Sequence, residues 1–146
     1  IIHRLLATNT YLAKRNIKDS DLCDHCGNEP ETLVHLFYHC EYAQVIWREL
    51  RNWLIPFYDI DSLIEAKTIL FGAKLAKHHR LINHLILIAK WHIYVSKYSE
   101  IKPTFNALLM LIKKQYRIEK SIMTSNDILG TGLYKKWNPI LGVLLD

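Results

Sequence analysis

The chain has 146 residues, half of them hydrophobic, with five glycines, four prolines and a formal net charge of +5 at pH 7. That composition supports one cored domain, or one with a subdomain, and excludes a disordered or low-complexity chain. Charge is uneven: residues 1–73 carry seven Lys/Arg against ten Asp/Glu, and residues 74–146 twelve against four, so a polyanion would be met by the back half.

Residues 1–14 begin the chain with a broad apolar stripe of Ile1, Leu5, Leu6, Tyr11 and Leu12, which predicts a helix. The first residue is Ile rather than Met, so the chain is expected to be a fragment or a processed product. No signal peptide is visible, and free thiols suit a reducing compartment. Residues 16–21 form a polar linker into the most informative stretch, Cys23-x2-Cys26-x8-His35-x4-Cys40. All three cysteines of the chain fall in these 18 positions.

Thiolates and an imidazole at this spacing suit Zn²⁺, which takes four such ligands in a tetrahedron. Gly27 follows the first pair where a tight turn wants positive φ, and Asp24 and Asn28 are turn formers. Leu33, Leu36 and Phe37 have helical spacing, which places His35 on a short helix and Cys40 just past it. The expected ligands are Cys23, Cys26, His35 and Cys40. His39 lies four residues after His35 and is the alternative to Cys40 as the fourth ligand. His25, between the cysteines, is expected to point away. A disulfide or redox pair is the plainer reading of Cys23 and Cys26. The odd cysteine count and the lack of a βαβ context argue against it. Four protein ligands leave no open position, so the metal is expected to be structural. Asp19, Asp21 and Asp24 read as solvated turn residues.

Residues 41–54 predict a second helix, with Tyr42, Val45, Ile46, Leu50, Trp53 and Leu54 inward and Pro56 stopping it. After a linker over 55–61, Ser62-x-x-Glu65 looks like a capping box, opening a helix through Leu70 that Gly72 ends. Lys74, Lys77 and Arg80 follow, with His78 and His79 adjacent. Residues 81–98 are apolar nearly all round and predict a buried central helix. Lys90 near its centre argues against a membrane span. Lys102-Pro103 opens another helix, with Phe105, Leu108, Leu109, Ile112 and Tyr116 inward. Lys113, Arg117 and Lys120 run along one side, with Lys114 beside them. Residues 124–132 read as a loop, followed by Lys135-Lys136-Trp137-Asn138-Pro139 and an apolar tail. The fold class is therefore all-α: a small helical domain with an N-terminal Cys-Cys-His-Cys zinc knuckle. The expected division is a knuckle subdomain over 1–55 and a basic helical subdomain over 62–146, or one continuous domain.

Several phrases together resemble a known family. Leu5-Leu6-Ala-Thr-Asn-x-x-Leu12, Cys-x2-Cys-Gly27, Glu31-Thr-Leu-x-His35-Leu-Phe-x-x-Cys40 and Trp47 resemble the zinc-binding region that follows the reverse transcriptase of LINE-type non-LTR retrotransposons. Ile69-Leu-Phe-Gly72, the run from Leu85 to Tyr94 and Lys102-Pro103 look like the extreme C-terminal segment of the same polyproteins. The resemblance implies an accessory domain that binds RNA and assists target-primed reverse transcription beside the polymerase of the same polypeptide. It also implies an intracellular ribonucleoprotein of cytoplasm and nucleus.

The chain itself has no Tyr-x-Asp-Asp motif and no acidic cluster suited to two-metal chemistry, so it is not expected to be an enzyme. Phosphate contacts with RNA, or alternatively DNA, are expected from Lys74, Lys77, Arg80, Lys113, Lys114, Arg117 and Lys120, with Lys135 and Lys136 as further candidates. His78, His79 and Trp137 are the candidate stacking partners. Trp47, Trp53 and Trp91 are expected in the core. The competing expectation is a brace that docks on the polymerase or a host partner without touching nucleic acid.

Overall fold

The computed structural model describes residues 6–58, 65–72, 79–123 and 130–145. Seven α-helices lie in these stretches: α1 Asn9–Ala13, α2 Glu41–Leu54, α3 Ala66–Phe71, α4 His79–Ser96, α5 Phe105–Met123, α6 Gly130–Trp137 and α7 Leu141–Leu145. A π-helical turn, His35–His39, precedes α2, and a 3₁₀ turn, Asn138–Ile140, joins α6 to α7. The protein is mostly helical, and among the described residues the only β pairing is an isolated bridge between Leu22 and Pro30.

The helices start where local chemistry lets them. Of the helix expected over 1–14, residues 1–5 lie outside the described residues, and α1 begins only at Asn9. Thr8 is extended, and the Asn9 N–H donates to the Glu31 carboxylate at 3.0 Å. The cap therefore comes from 22 residues downstream, which no local pattern reveals. Ser62 of the expected capping box lies outside the described residues. Glu65 caps α3 in extended conformation without a side-chain bond, and Gly72, at φ 92°, ends it where a side chain would be strained. Thr104, not Pro103, opens α5: its hydroxyl accepts the Ala107 N–H at 3.3 Å.

The buried side chains form one cluster running through both halves of the chain. Leu36, Phe37, Ile46 and Trp47 from the knuckle side meet Ile69 and the Leu81, Leu85, Ala89 and Ile93 face of α4. That face in turn meets Leu108 and Ile112 of α5. The stretch read as a loop and tail is largely helical from Gly130 onward, and it buries Trp137, Ile140 and Leu144 in the same cluster. Trp137 is fully buried and donates its indole N–H to Glu119 at 2.8 Å. It therefore cannot stack on a base, a correction to the sequence expectation.

The central helix also departs from expectation. One stripe of α4 faces water, with Leu87, Trp91 and Val95 exposed, and Trp91 is 61 % exposed rather than in the core. An apolar run cannot tell a helix buried all round from one that leaves a stripe open. No helix among the described residues is long and apolar enough to cross a membrane.

Candidate metal centre

The first two cysteines sit on a closed turn. The Cys23 carbonyl accepts the Gly27 N–H at 2.8 Å, and the Cys23 N–H donates to Glu29 O at 2.8 Å. Gly27 has φ 71°, the left-handed conformation that glycine takes without strain. The second pair is set by the π turn. Five α-helical residues rotate the chain about 500°, leaving His35 and Cys40 on different faces. A π turn closes on i+5, and the Cys40 N–H bonds His35 O at 2.8 Å. The x4 spacing thus brings both residues to one side. Cys40 then precedes α2, its carbonyl accepting the Gln44 N–H at 2.9 Å.

Cys23, Cys26, His35 and Cys40 each offer one ligand atom, and these atoms lie within 4.8 Å of one another. Sγ of Cys23 and Sγ of Cys40 are 3.9 Å apart, and Sγ of Cys26 is 3.3 Å from Nε2 of His35. Zinc bonds of about 2.3 Å to sulfur and about 2.0 Å to nitrogen put tetrahedral edges at about 3.8 Å and 3.5 Å. The donor set fits a tetrahedral metal ion, and all three cysteines are free thiols. His39 is exposed, outside the cluster, with its ring edge-on to Tyr38 at 5.1 Å.

Burial and mutual hydrogen bonding shift the cluster's donors in different directions. The Cys23 thiol donates to Cys40, which pushes the Cys23 pKa far up, with burial adding to the effect. The same bond, against the cost of burial, lowers that of Cys40, helped by the Tyr42 and Ala43 N–H groups at the start of α2. Burial lowers the pKa of His35, favouring the neutral imidazole that ligates metal. A bound Zn²⁺ would supply the charge that holds several thiolates together.

Residues 1–47 match the model of a family described as zinc-binding in reverse transcriptase. The match contains all four cluster residues and ends at Trp47, whose indole N–H bonds Phe37 O in the π turn at 2.6 Å. No curated protein and no solved structure matches the chain.

The other described candidates are not part of this cluster. Lys74, Lys77, His78 and the His79 side chain fall outside the described residues. Arg80 is exposed in the first turn of α4, and Lys114, Arg117 and Lys120 are exposed on α5, with Lys113 half-buried beside them. Lys135 is exposed, whereas Lys136 is held by both oxygens of Glu119 at 2.9 Å. That pairing makes Lys136 a poor phosphate ligand.

Three residues missed by sequence reasoning fasten the knuckle to α4. His25 does turn away from the cluster, but it is buried, with Nε2 2.8 Å from Ile93 O. Glu31 and Lys97 form a buried ion pair with side chains 0 % and 2 % exposed. A lysine near the end of an apolar helix was the available signal. Its partner, 66 residues away, was not visible.

Proposed function

We propose that this chain is a zinc-stapled accessory domain of a LINE-type non-LTR retrotransposon reverse transcriptase. In this reading it binds nucleic acid, RNA first, in support of target-primed reverse transcription, and acts inside the cell in a ribonucleoprotein. Zinc is the ion assigned to the Cys₃His set, because thiolate-rich tetrahedral sites favour it. It serves as a staple, and the chain contributes binding rather than catalysis.

The observation that carries nucleic-acid binding is the outer face of α5. Its one carboxylate, Glu119, is engaged by Lys136, Trp137 and Gln115. Lys114, Arg117 and Lys120 therefore project beside Lys113 with no free acid on the helix to oppose a phosphate. A phosphate backbone meets such a row without regard to sequence and with strong salt dependence. A second reading, a brace docked on the polymerase or a host protein, is favoured by an apolar groove of about 580 Å³. Its lining includes Phe71, Leu87 and Trp91, all strongly exposed.

Filter binding of single-stranded RNA at two salt concentrations separates the readings. The first predicts a steep salt slope for the native chain. Combined Lys113→Glu, Arg117→Glu and Lys120→Glu changes should reduce that slope by about 2 and weaken binding at low salt at least about tenfold. Unchanged affinity in the triple variant removes α5 as the contact face. Little affinity in the native chain favours the brace.

A further inference from the structure

The metal loop is held from behind by the far end of α4. Glu31 is fully buried, and its two carboxylate oxygens bond different partners. Oε2 accepts the N–H of Asp24, the residue next to the ligand Cys23, at 3.2 Å. Oε1 accepts the Asn9 N–H at 3.0 Å and the Lys97 ammonium at 2.5 Å. The remaining ammonium bonds go to Ala7 O at 3.1 Å and Asn9 Oδ1 at 3.2 Å, which accounts for all three of its protons. Asp24 Oδ2 lies 3.7 Å away as a further anionic neighbour.

Two other ties reach the same loop. The His25 ring bonds Ile93 O, one turn before Lys97. The Lys102 ammonium donates to the carbonyls of both Asp24 and His25. The turn bearing Cys23 and Cys26 is thus bonded to residues 93–102 through its side chains and its backbone.

We propose that Lys97, acting through Glu31, is a positioning residue of the metal centre, so that the turn just after α4 is part of the site. The inference rests on the metal reading. A loop built only from residues 20–31 would have to order itself when the ion arrives. Here a desolvated carboxylate fixes the N–H after Cys23, and a desolvated ammonium fixes the carboxylate. Outer groups of this kind set ligand orientation and commonly change metal affinity 10- to 100-fold. The stretch matching the zinc-binding family ends at residue 47, so the tight site of this chain also requires residues outside that match.

The experiment is Co²⁺ and Zn²⁺ titration of the full chain, with affinity taken from chelator competition and geometry from the Co²⁺–thiolate absorption bands. Lys97→Met and Glu31→Gln are compared with Leu144→Ala, a core truncation in α7 that weakens the fold without touching the loop. Lys97→Met and Glu31→Gln should each bind Co²⁺ about 10- to 100-fold more weakly, with altered ligand-field bands. Leu144→Ala should keep the native bands and stay within about threefold of native affinity. If Lys97→Met does not fold in saturating metal, the isosteric Glu31→Gln decides. Weakening no greater than in Leu144→Ala overturns the proposal. Failure of the native chain to bind either ion instead overturns the metal reading beneath it.

Discussion

Cys40 and His39 are neighbours in sequence, and the π turn separates their roles. Cys40 lies with the other three donors, and His39 faces solvent. His39→Ala should leave Zn²⁺ affinity within a few-fold of native. Cys40→Ser should weaken it by more than about a hundredfold, beyond the usual effect of outer-shell changes, and chelator competition on both variants checks this. His84 makes a separate prediction. Burial lowers its pKa and the nearby Lys136 adds to this, while Glu119 at 3.4 Å opposes. The folded chain therefore holds His84 neutral where the unfolded chain would protonate it. Its contribution to stability is whole above the unfolded pKa of about 6.5 and declines as pH falls below that value. His84→Phe should flatten the stability–pH curve between about pH 6.5 and 5 by up to one proton, measured by urea unfolding at several pH values. The four clustered residues were legible because ligand spacing is written locally. Glu31 and Lys97 were not, because a buried ion pair across 66 residues leaves no local pattern.

The elements were legible where periodicity was long and ends were marked. Residues 41–54 match α2 Glu41–Leu54, and Gly72 ends α3 as expected. α1 and α6 were not, because their ends are set by distant partners: Glu31 for α1, Glu119 for the Trp137 end of α6. The C-terminal helices, with three glycines and few inward side chains, look like loops until a core is there to receive them. Trp137 shows how much this end matters. It packs edge-on against Tyr116 and His84, with centroids 5.6 and 5.7 Å away. Truncation of a buried aromatic commonly costs 3–5 kcal/mol. Trp137→Ala should therefore destabilise the chain by about 4 kcal/mol in denaturant unfolding and leave RNA affinity, measured below the transition, unchanged. A selective loss of RNA binding at native stability would restore Trp137 as a base-stacking residue.

At the scale of the whole molecule, the candidate metal centre and the helices behind it share one core. Cys23, Cys40 and the π turn lie in the same buried cluster as α4, α5 and the C-terminal helices. An ion bound to the folded chain and not to the unfolded one stabilises the whole of that core by mass action. In the proposed reading, the acidic front half supplies the staple and the basic back half the face offered to phosphate. The most direct test of this account is metal analysis of the purified chain with X-ray absorption at the zinc edge. One zinc per chain is expected, with three sulfurs at about 2.3 Å and one nitrogen at about 2.0 Å. A metal-free folded chain, or a zinc with two sulfurs and two nitrogens, would contradict it.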